Sequence, residues 1–172
     1  MTLRCLLTGG SGMVGRNILE HPKADEWEIL APCSGELDLT QSTQVYDYIQ
    51  KNKPDVVVHA AALVGGIHAN IENPITYLDI NLVMGRNVIM AAYQLGVKRL
   101  INIASTCMYP RSAQNPLREE MILSGELEPT NEGYALAKIV TTRLCQYIQQ
   151  QDTSVAYKSL IPCNLYGRYD KY

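Results

Sequence analysis

The 172-residue chain is 47 % hydrophobic and 19 % charged, a balance that folds into a packed domain and excludes a disordered chain. Its formal net charge of −2 comes without a basic block, so neither a nucleic-acid partner nor an anionic membrane surface is expected. There is no apolar run near the ~20 residues of a membrane span and no leader before the first strand, and Cys5, Cys33, Cys107, Cys145 and Cys163 form no CxxC pair, so the chain reads as cytoplasmic, with reduced thiols and neither metal nor disulfide.

Leu3–Thr8 is the first predicted strand and Gly12–Glu20 the first predicted helix. Trp27–Ala31 is a second strand and Leu37–Leu39 a short third one. Thr40 and Ser42 offer N-caps to a helix reaching about Asn52, with Val45, Tyr48 and Ile49 on one face. Pro54 leads into Asp55–Ala60, DVVVHA, a continuous apolar run of the kind buried on both faces. Pro74 fits near the start of a long helix that runs to about Leu95 and is stopped by Gly96. Arg99–Ala104 is a fifth strand, and Ser105–Thr130, with Pro110, Pro116 and Pro129, is irregular. Asn131 caps a helix to about Gln150, and Val155–Ile161 is a sixth strand that ends at Pro162. Strands alternating with helices predict an α/β fold: a Rossmann-type doubly wound parallel sheet with helices on both faces.

The stretch TGGSGMVG, Thr8–Gly15, follows the first strand and opens the first helix, with Gly9, Gly12 and Gly15 three apart. That context is the one a dinucleotide motif requires. Bare backbone lets a phosphate reach the unpaired N–H groups of a helix start. Gly9, Gly10, Ser11, Gly12, Met13, Val14 and Gly15 are therefore candidate cofactor contacts; the competing reading is an ordinary tight turn. In such a sheet a ligand lies outside the carboxyl ends of the strands, where strand order reverses. Those ends carry small or polar residues. Asp38 and Leu39, expected beside the adenine, follow the third strand, and Ala60, Ala61 and Ala62 the fourth. The fifth closes on Ile103 and Ala104 and is followed by Ser105, Thr106 and Cys107. Pro162, Cys163, Asn164 and Leu165 follow the sixth.

Tyr134 and Lys138 are four apart on one predicted helix and share a face. An ammonium beside a phenol lowers its pKa from about 10, so the phenol could exchange a proton with a carbonyl oxygen near neutral pH. Ser105 would give that oxygen a second hydrogen bond. The competing reading is a surface Tyr and Lys on an amphipathic helix.

The strand with TGGSGMVG, the YALAK run at Tyr134–Lys138 and the strand-end serine resemble the extended short-chain dehydrogenase/reductase superfamily. Longer strings resemble, within it, the GDP-L-fucose synthase family of bifunctional epimerase/reductases. They are GMVG at Gly12–Gly15, ELDL at Glu36–Leu39, HAAALVGGIHAN at His59–Asn70, STCMYP at Ser105–Pro110, GELEPTNEGYALAK at Gly125–Lys138 and PCNLYG at Pro162–Gly167. The resemblance implies a nicotinamide-dependent enzyme acting on GDP-4-keto-6-deoxy-mannose or a close relative, and a homodimer built through a helix pair that includes the Tyr134 helix. It favours NADP(H) without excluding NAD(H), since Ser34 and Ser11 stand where NADP-specific members carry arginines and no acid replaces them. It implies Cys107 as the base that inverts C3 or C5, Ser105 and Tyr134 as the groups holding the oxyanion, Tyr134 as the proton donor to O4, and Lys138 as the partner of ribose and phenol.

Members of that family are about twice this long, with a second domain that grips the nucleotide sugar. Residues 1–172 are therefore expected to form the NAD(P)-binding Rossmann domain, with the substrate domain and the catalytic histidine beyond Tyr172. His21, His59 and His68 do not match that histidine; His59 is expected in the core at a strand end and His68 in a loop. Were Cys107 only packing, the implied enzyme would be a C4 reductase of a related GDP-4-keto-hexose or heptose. A 4-epimerase or a dehydratase on a nucleotide sugar, or a non-catalytic NAD(P)-binding module, are the other readings. A dehydratase usually carries an Asp–Glu pair where Thr106 and Cys107 stand.

Overall fold

Five parallel strands form one sheet in the order β2-β1-β3-β4-β5. They are β1 Arg4–Thr8, β2 Glu28–Leu30, β3 Val56–His59, β4 Arg99–Ile103 and β5 Ala156–Leu160 in a computed structural model that describes residues 2–170. The chain moves from β1 out to β2, crosses back to β3 on the other side of β1, and steps on through β4 to β5. Strand order therefore reverses between β1 and β3, where Thr8 pairs with His59. The helices are α1 Met13–Leu19, α2 Ser42–Asn52, α3 Ile67–Glu72, α4 Pro74–Gln94 and α5 Glu132–Gln151. Among the described residues no helix is long and apolar enough to cross a membrane.

Side chains alternate across a strand, so β1, β3 and β4 send Leu6, Val57 and Leu100 to one face. There they meet Val45 and Ile49 of α2, Val88 and Ala92 of α4, and Cys145 and Ile148 of α5. Leu6, Val57 and Leu100 are fully enclosed, and each such burial contributes about 1.5–3 kcal/mol. The opposite face carries Cys5, Val56, Val58 and Ile101, with α1 against it and the chain after β5 bringing Leu165 and Tyr166 alongside. Helices thus stand on both faces, but the cover is uneven. An apolar groove of about 540 Å³ runs between α1 and the sheet. Val58 is only half-buried, which corrects the expectation that its strand is enclosed on both sides.

Other departures have local causes. Leu37–Leu39 is not a strand, which leaves five strands among the described residues rather than six. Asp38 Oδ1 accepts hydrogen bonds from the Thr40 N–H at 2.9 Å and its hydroxyl at 2.7 Å, closing a turn that cannot pair as a strand. Leu37 and Leu39 are buried all the same. The Thr40 hydroxyl is thus engaged with Asp38, so it does not cap α2, whose N-cap is Gln41 with no side-chain bond. Ser42 is the first helical residue rather than a cap. His68 lies in the short helix α3, which the sequence pattern did not predict. Asn131 holds the N-cap position of α5 without a side-chain bond.

The long helix ends as expected. Gly96 takes φ +75, Val97 N donates to Ala92 O and Gly96 N to Tyr93 O, the paired bonds of a Schellman cap. The irregular stretch after β4 winds through 3₁₀ turns at Thr106–Met108, Glu119–Met121 and Pro129–Asn131. It closes over a second apolar cluster in which Met108, Ile122 and Leu127 pack on Ala135 and Ile139 of α5.

Candidate active site

A cavity of about 350 Å³ opens at the carboxyl ends of β2, β1 and β3. Gly9, Ser11, Gly12, Asp38, Leu39, Ala60, Ala61 and Ala62, all expected at a cofactor, line it together. The glycine turn is tight for a steric reason. Gly9 has φ +76, and a Cβ there would stand 2.6 Å from Ala61 N. A Cβ at Gly12 would meet only Gly9 O, at 3.4 Å, and would project at the start of α1, whose N-cap has no side-chain bond. This bare backbone fits a dinucleotide pyrophosphate, which approaches more closely than side chains would allow. Gly10 and Gly15 stand behind the turn, packed on Ala31 and on the Gly9 backbone. Met13 and Val14 send their side chains into the apolar groove under α1.

Helix α4 holds both walls of the cavity. Asn81 Nδ2 donates to Leu63 O at 3.0 Å, and its Oδ1 accepts from Leu63 N at 2.8 Å, so one side chain saturates that backbone unit. Six residues on, Asn87 Nδ2 donates to Leu39 O at 2.9 Å and to Thr40 O at 3.1 Å. Ile80 and Met84, also on α4, line the cavity. The sequence reading did not single out these asparagines. The signal was there: Tyr77, Asn81, Gly85, Val88 and Ala92 form one buried helical stripe, and a polar residue on such a stripe needs a partner.

His59 is buried at the end of β3, as expected, and shares a 2.8 Å hydrogen bond with Thr8 through Nδ1. The Thr8 hydroxyl also accepts from Ala61 N at 3.4 Å. The pair ties the glycine-turn strand to the alanine run. Burial, helped by the Lys138 charge, pushes the imidazole pKa down to about 3.

The candidate catalytic groups gather one strand further, at the end of β4. Ser105 Oγ accepts from Cys107 N at 3.3 Å and so caps the 3₁₀ turn Thr106–Met108. The Ser105 hydroxyl proton faces the Cys107 sulfur, where its hydrogen bond favours the thiolate. Helix α5 packs on this turn and brings Tyr134 and Lys138 to it. Its start is fixed by Gly133, where a Cβ would stand 2.8 Å from Pro74 O, so the residue before Tyr134 touches the backbone of α4. Lys138 is buried, and its Nζ donates to Ile103 O at 2.8 Å. The ammonium lies 5.6 Å from the Tyr134 ring centroid.

This arrangement corrects the expected depression of the phenol. Lys138 sits over the ring and is turned to a carbonyl, and burial with the neighbouring Cys107 pushes the Tyr134 phenol well above its usual range. Tyr134 therefore rests protonated. Burial lowers Lys138 to about 8 against the pull of Cys107. The Cys107 thiol is pushed up by burial, with the Ser105 hydrogen bond and the Lys138 charge opposing.

Ala104 is buried beneath Ser105. Pro162 is half-buried, Cys163 and Asn164 are exposed, and Leu165 lines the groove under α1 rather than the glycine-turn cavity. All five cysteines are free thiols.

The NAD dependent epimerase/dehydratase family matches residues 5–172. GDP-L-colitose synthase of Yersinia pseudotuberculosis is 51 % identical over 170 residues, covering 99 % of this chain and 55 % of the relative. GDP-L-fucose synthase of Azorhizobium caulinodans is 50 % identical over 169 residues, covering 98 % and 54 %. The chain thus spans about half the length of the curated relatives it matches. A solved GDP-mannoheptose C4 reductase from Campylobacter jejuni, with NADP bound, superposes with a TM-score of 0.90 at 28 % identity, over 96 % of this chain and 52 % of that one. With the glycine turn at the switch point of a parallel sheet and the family matched over nearly its whole length, the chain belongs to the NAD dependent epimerase/dehydratase family.

Proposed function

We propose that residues 1–172 form the NADP(H)-binding Rossmann domain of a cytoplasmic, homodimeric 3,5-epimerase/4-reductase acting on GDP-4-keto-6-deoxy-mannose or a closely related GDP-4-keto sugar. The observation that carries this is the convergence of Ser105, Cys107, Tyr134 and Lys138 at the end of β4, beside a cavity built on the glycine turn. The colitose and fucose synthases among the relatives support a GDP-sugar substrate, and the NADP-bound reductase supports the cofactor. Bound nicotinamide supplies a hydride.

The chain's own groups do the rest. A C–H bond beside a ketone is acidic because its enolate spreads charge onto oxygen. Cys107 takes that proton once ionised; its raised pKa makes it a stronger base and keeps it neutral at rest. Ser105 and Tyr134 donate hydrogen bonds to O4 where the charge collects. Tyr134, protonated at neutral pH, gives its proton to O4 as the ketone is reduced. Lys138 holds the end of β4 against α5 and keeps a positive charge under the phenol.

Two variants of the intact protein separate the steps. Cys107→Ser is expected to abolish exchange of the C3 and C5 hydrogens with deuterated solvent and to preserve reduction of a pre-epimerised keto sugar. Tyr134→Phe is expected to lower reduction by about 10²–10⁴ with cofactor affinity unchanged. Reduction without solvent exchange in the wild type would overturn the epimerase and support the second reading, a C4 reductase alone. The half-buried, un-ionised Cys107 thiol and the likeness to a C4 reductase favour that alternative.

A further inference from the structure

Helices α4 and α5 approach each other through two glycines. Gly133, the residue before Tyr134, packs on the start of α4: a Cβ there would stand 2.8 Å from Pro74 O and 3.4 Å from Leu78 Cβ. Further along, Thr141 of α5 packs on Gly85 of α4, where a Cβ would stand 2.4 Å from Thr141 Cγ2. The two contacts follow the same order along both helices, so α4 and α5 run in one direction, and Tyr134 and Lys138 lie between the contacts.

Gly133 has a helical backbone; the glycines with positive φ are Gly9, Gly96 and Gly167. Alanine adopts the same backbone and favours a helix more strongly. Conformation thus gives no reason for glycine at this position, whereas the approach to α4 does. The obstacle is a main-chain carbonyl, which does not swing aside as the end of a side chain can.

The displacement that a methyl group would force falls on Tyr134. Lys138, one turn on, is buried and tied through Nζ to Ile103 O at 2.8 Å. Beyond it the Gly85–Thr141 contact fixes the helix again. The first turn of α5 is tied less firmly, since its N-cap Asn131 makes no side-chain bond. The helix would therefore pivot at Lys138, and the end that moves carries the phenol.

We propose that Gly133 is a positioning residue for the reduction: its missing side chain sets how close the start of α5 stands to α4, and thereby where the Tyr134 phenol meets O4. This rests on the reading of Tyr134 as proton donor and deepens it. A donor misplaced by about 1 Å loses about 10²-fold in rate.

A double-mutant cycle on the intact protein tests it, read by reduction of a pre-epimerised GDP-4-keto sugar and by titration with NADPH. Gly133→Ala is expected to lower kcat by about 10²-fold, with the NADPH dissociation constant unchanged within about twofold. In the Tyr134→Phe background the same substitution is expected to change kcat by no more than about twofold, because the group it displaces is already gone. An equal loss in both backgrounds would mark a merely structural effect and overturn the proposal, as would a folded Gly133→Ala protein that reduces at the wild-type rate. Should circular dichroism show Gly133→Ala to be misfolded, Leu78→Ile, which thickens the facing α4 side chain at its Cβ, takes its place with the same expectations. A Tyr134→Phe protein that alone keeps the wild-type rate overturns the proton-donor reading itself.

Discussion

A histidine at the end of a central strand invites a catalytic role, yet His59 is enclosed between Thr8 and the α4–α5 pair, with Gly85 against its ring. Its consequence is for stability. In the unfolded chain the imidazole protonates near 6.5; in the folded protein only near 3. Between those values the unfolded state binds the extra proton. Stability from this residue is therefore complete above pH 6.5 and is lost as pH falls through the window, with a slope approaching about 1.4 kcal/mol per pH unit. Urea denaturation at pH 7, 6, 5 and 4 should show that fall. His59→Asn, which keeps a polar atom near Nδ1 for Thr8, should be less stable at pH 7 and should flatten the acid slope by about that amount. An unchanged slope would mean that other groups carry the acid sensitivity. The same desolvation raises Tyr134 and lowers Lys138, so burial outweighs the pairing of phenol and ammonium at this site.

At the level of elements, α4 is the frame on which the cavity is hung. Asn87 bonds to the backbone of Leu39 and Thr40, and Asn81 to both backbone groups of Leu63. Replacing Asn87 by Leu strips two carbonyls of their donor in a buried setting. It is expected to cost about 1–3 kcal/mol of stability and to weaken NADPH binding several-fold, with the reduction rate at saturating cofactor retained. Denaturation, titration and a split of KM from kcat check it; a variant that loses kcat alone would remove Asn87 from this positioning role. The frame also shows what the sequence could and could not convey. The glycine turn and the Gly96 stop are local signals and appear where their residues predict, and the strand–helix alternation holds apart from Leu37–Leu39 and α3. The link from Asn87 to Leu39 spans 48 residues, and no local pattern encodes it. Leu37–Leu39 looked extended because its apolar residues alternate, but the Asp38 side chain supplies turn bonds that compete with a strand. The gathering of Ser105, Tyr134 and Lys138 was legible from residue type and order. The direction of the Lys138 ammonium was not, since it depends on which carbonyl α5 meets across the sheet.

On the scale of the whole molecule, apolar surface among the described residues includes Val64, Ile67, Ile71 and Ile75 around α3 and two further regions. One is the groove under α1, already entered by Leu165 and Tyr166. The other is the outer face of the α4–α5 pair, where Leu82, Met90, Val140 and Leu144, with Arg86 and Thr141 among them, border a cleft of about 220 Å³. Val140 is 47 % exposed and Tyr147, one heptad along, 62 %. Single exposed apolar residues are ordinary; an apolar seam along two long helices is what a second copy buries when helix pairs meet about a two-fold axis. The proposed homodimer therefore belongs on this face. Val140→Lys would place a second positive charge beside Arg86 at the seam, and an unpaired buried charge costs more than a small interface can offset. Sedimentation equilibrium of the intact protein is expected to give twice the monomer mass for the wild type and the monomer mass for the variant at micromolar concentration. Tyr134 and Lys138 lie on the same helix as Val140, so the monomeric variant should also reduce more slowly while circular dichroism stays unchanged. A variant that remains dimeric would move the interface off this face, and a wild type that sediments as a monomer would overturn the dimer.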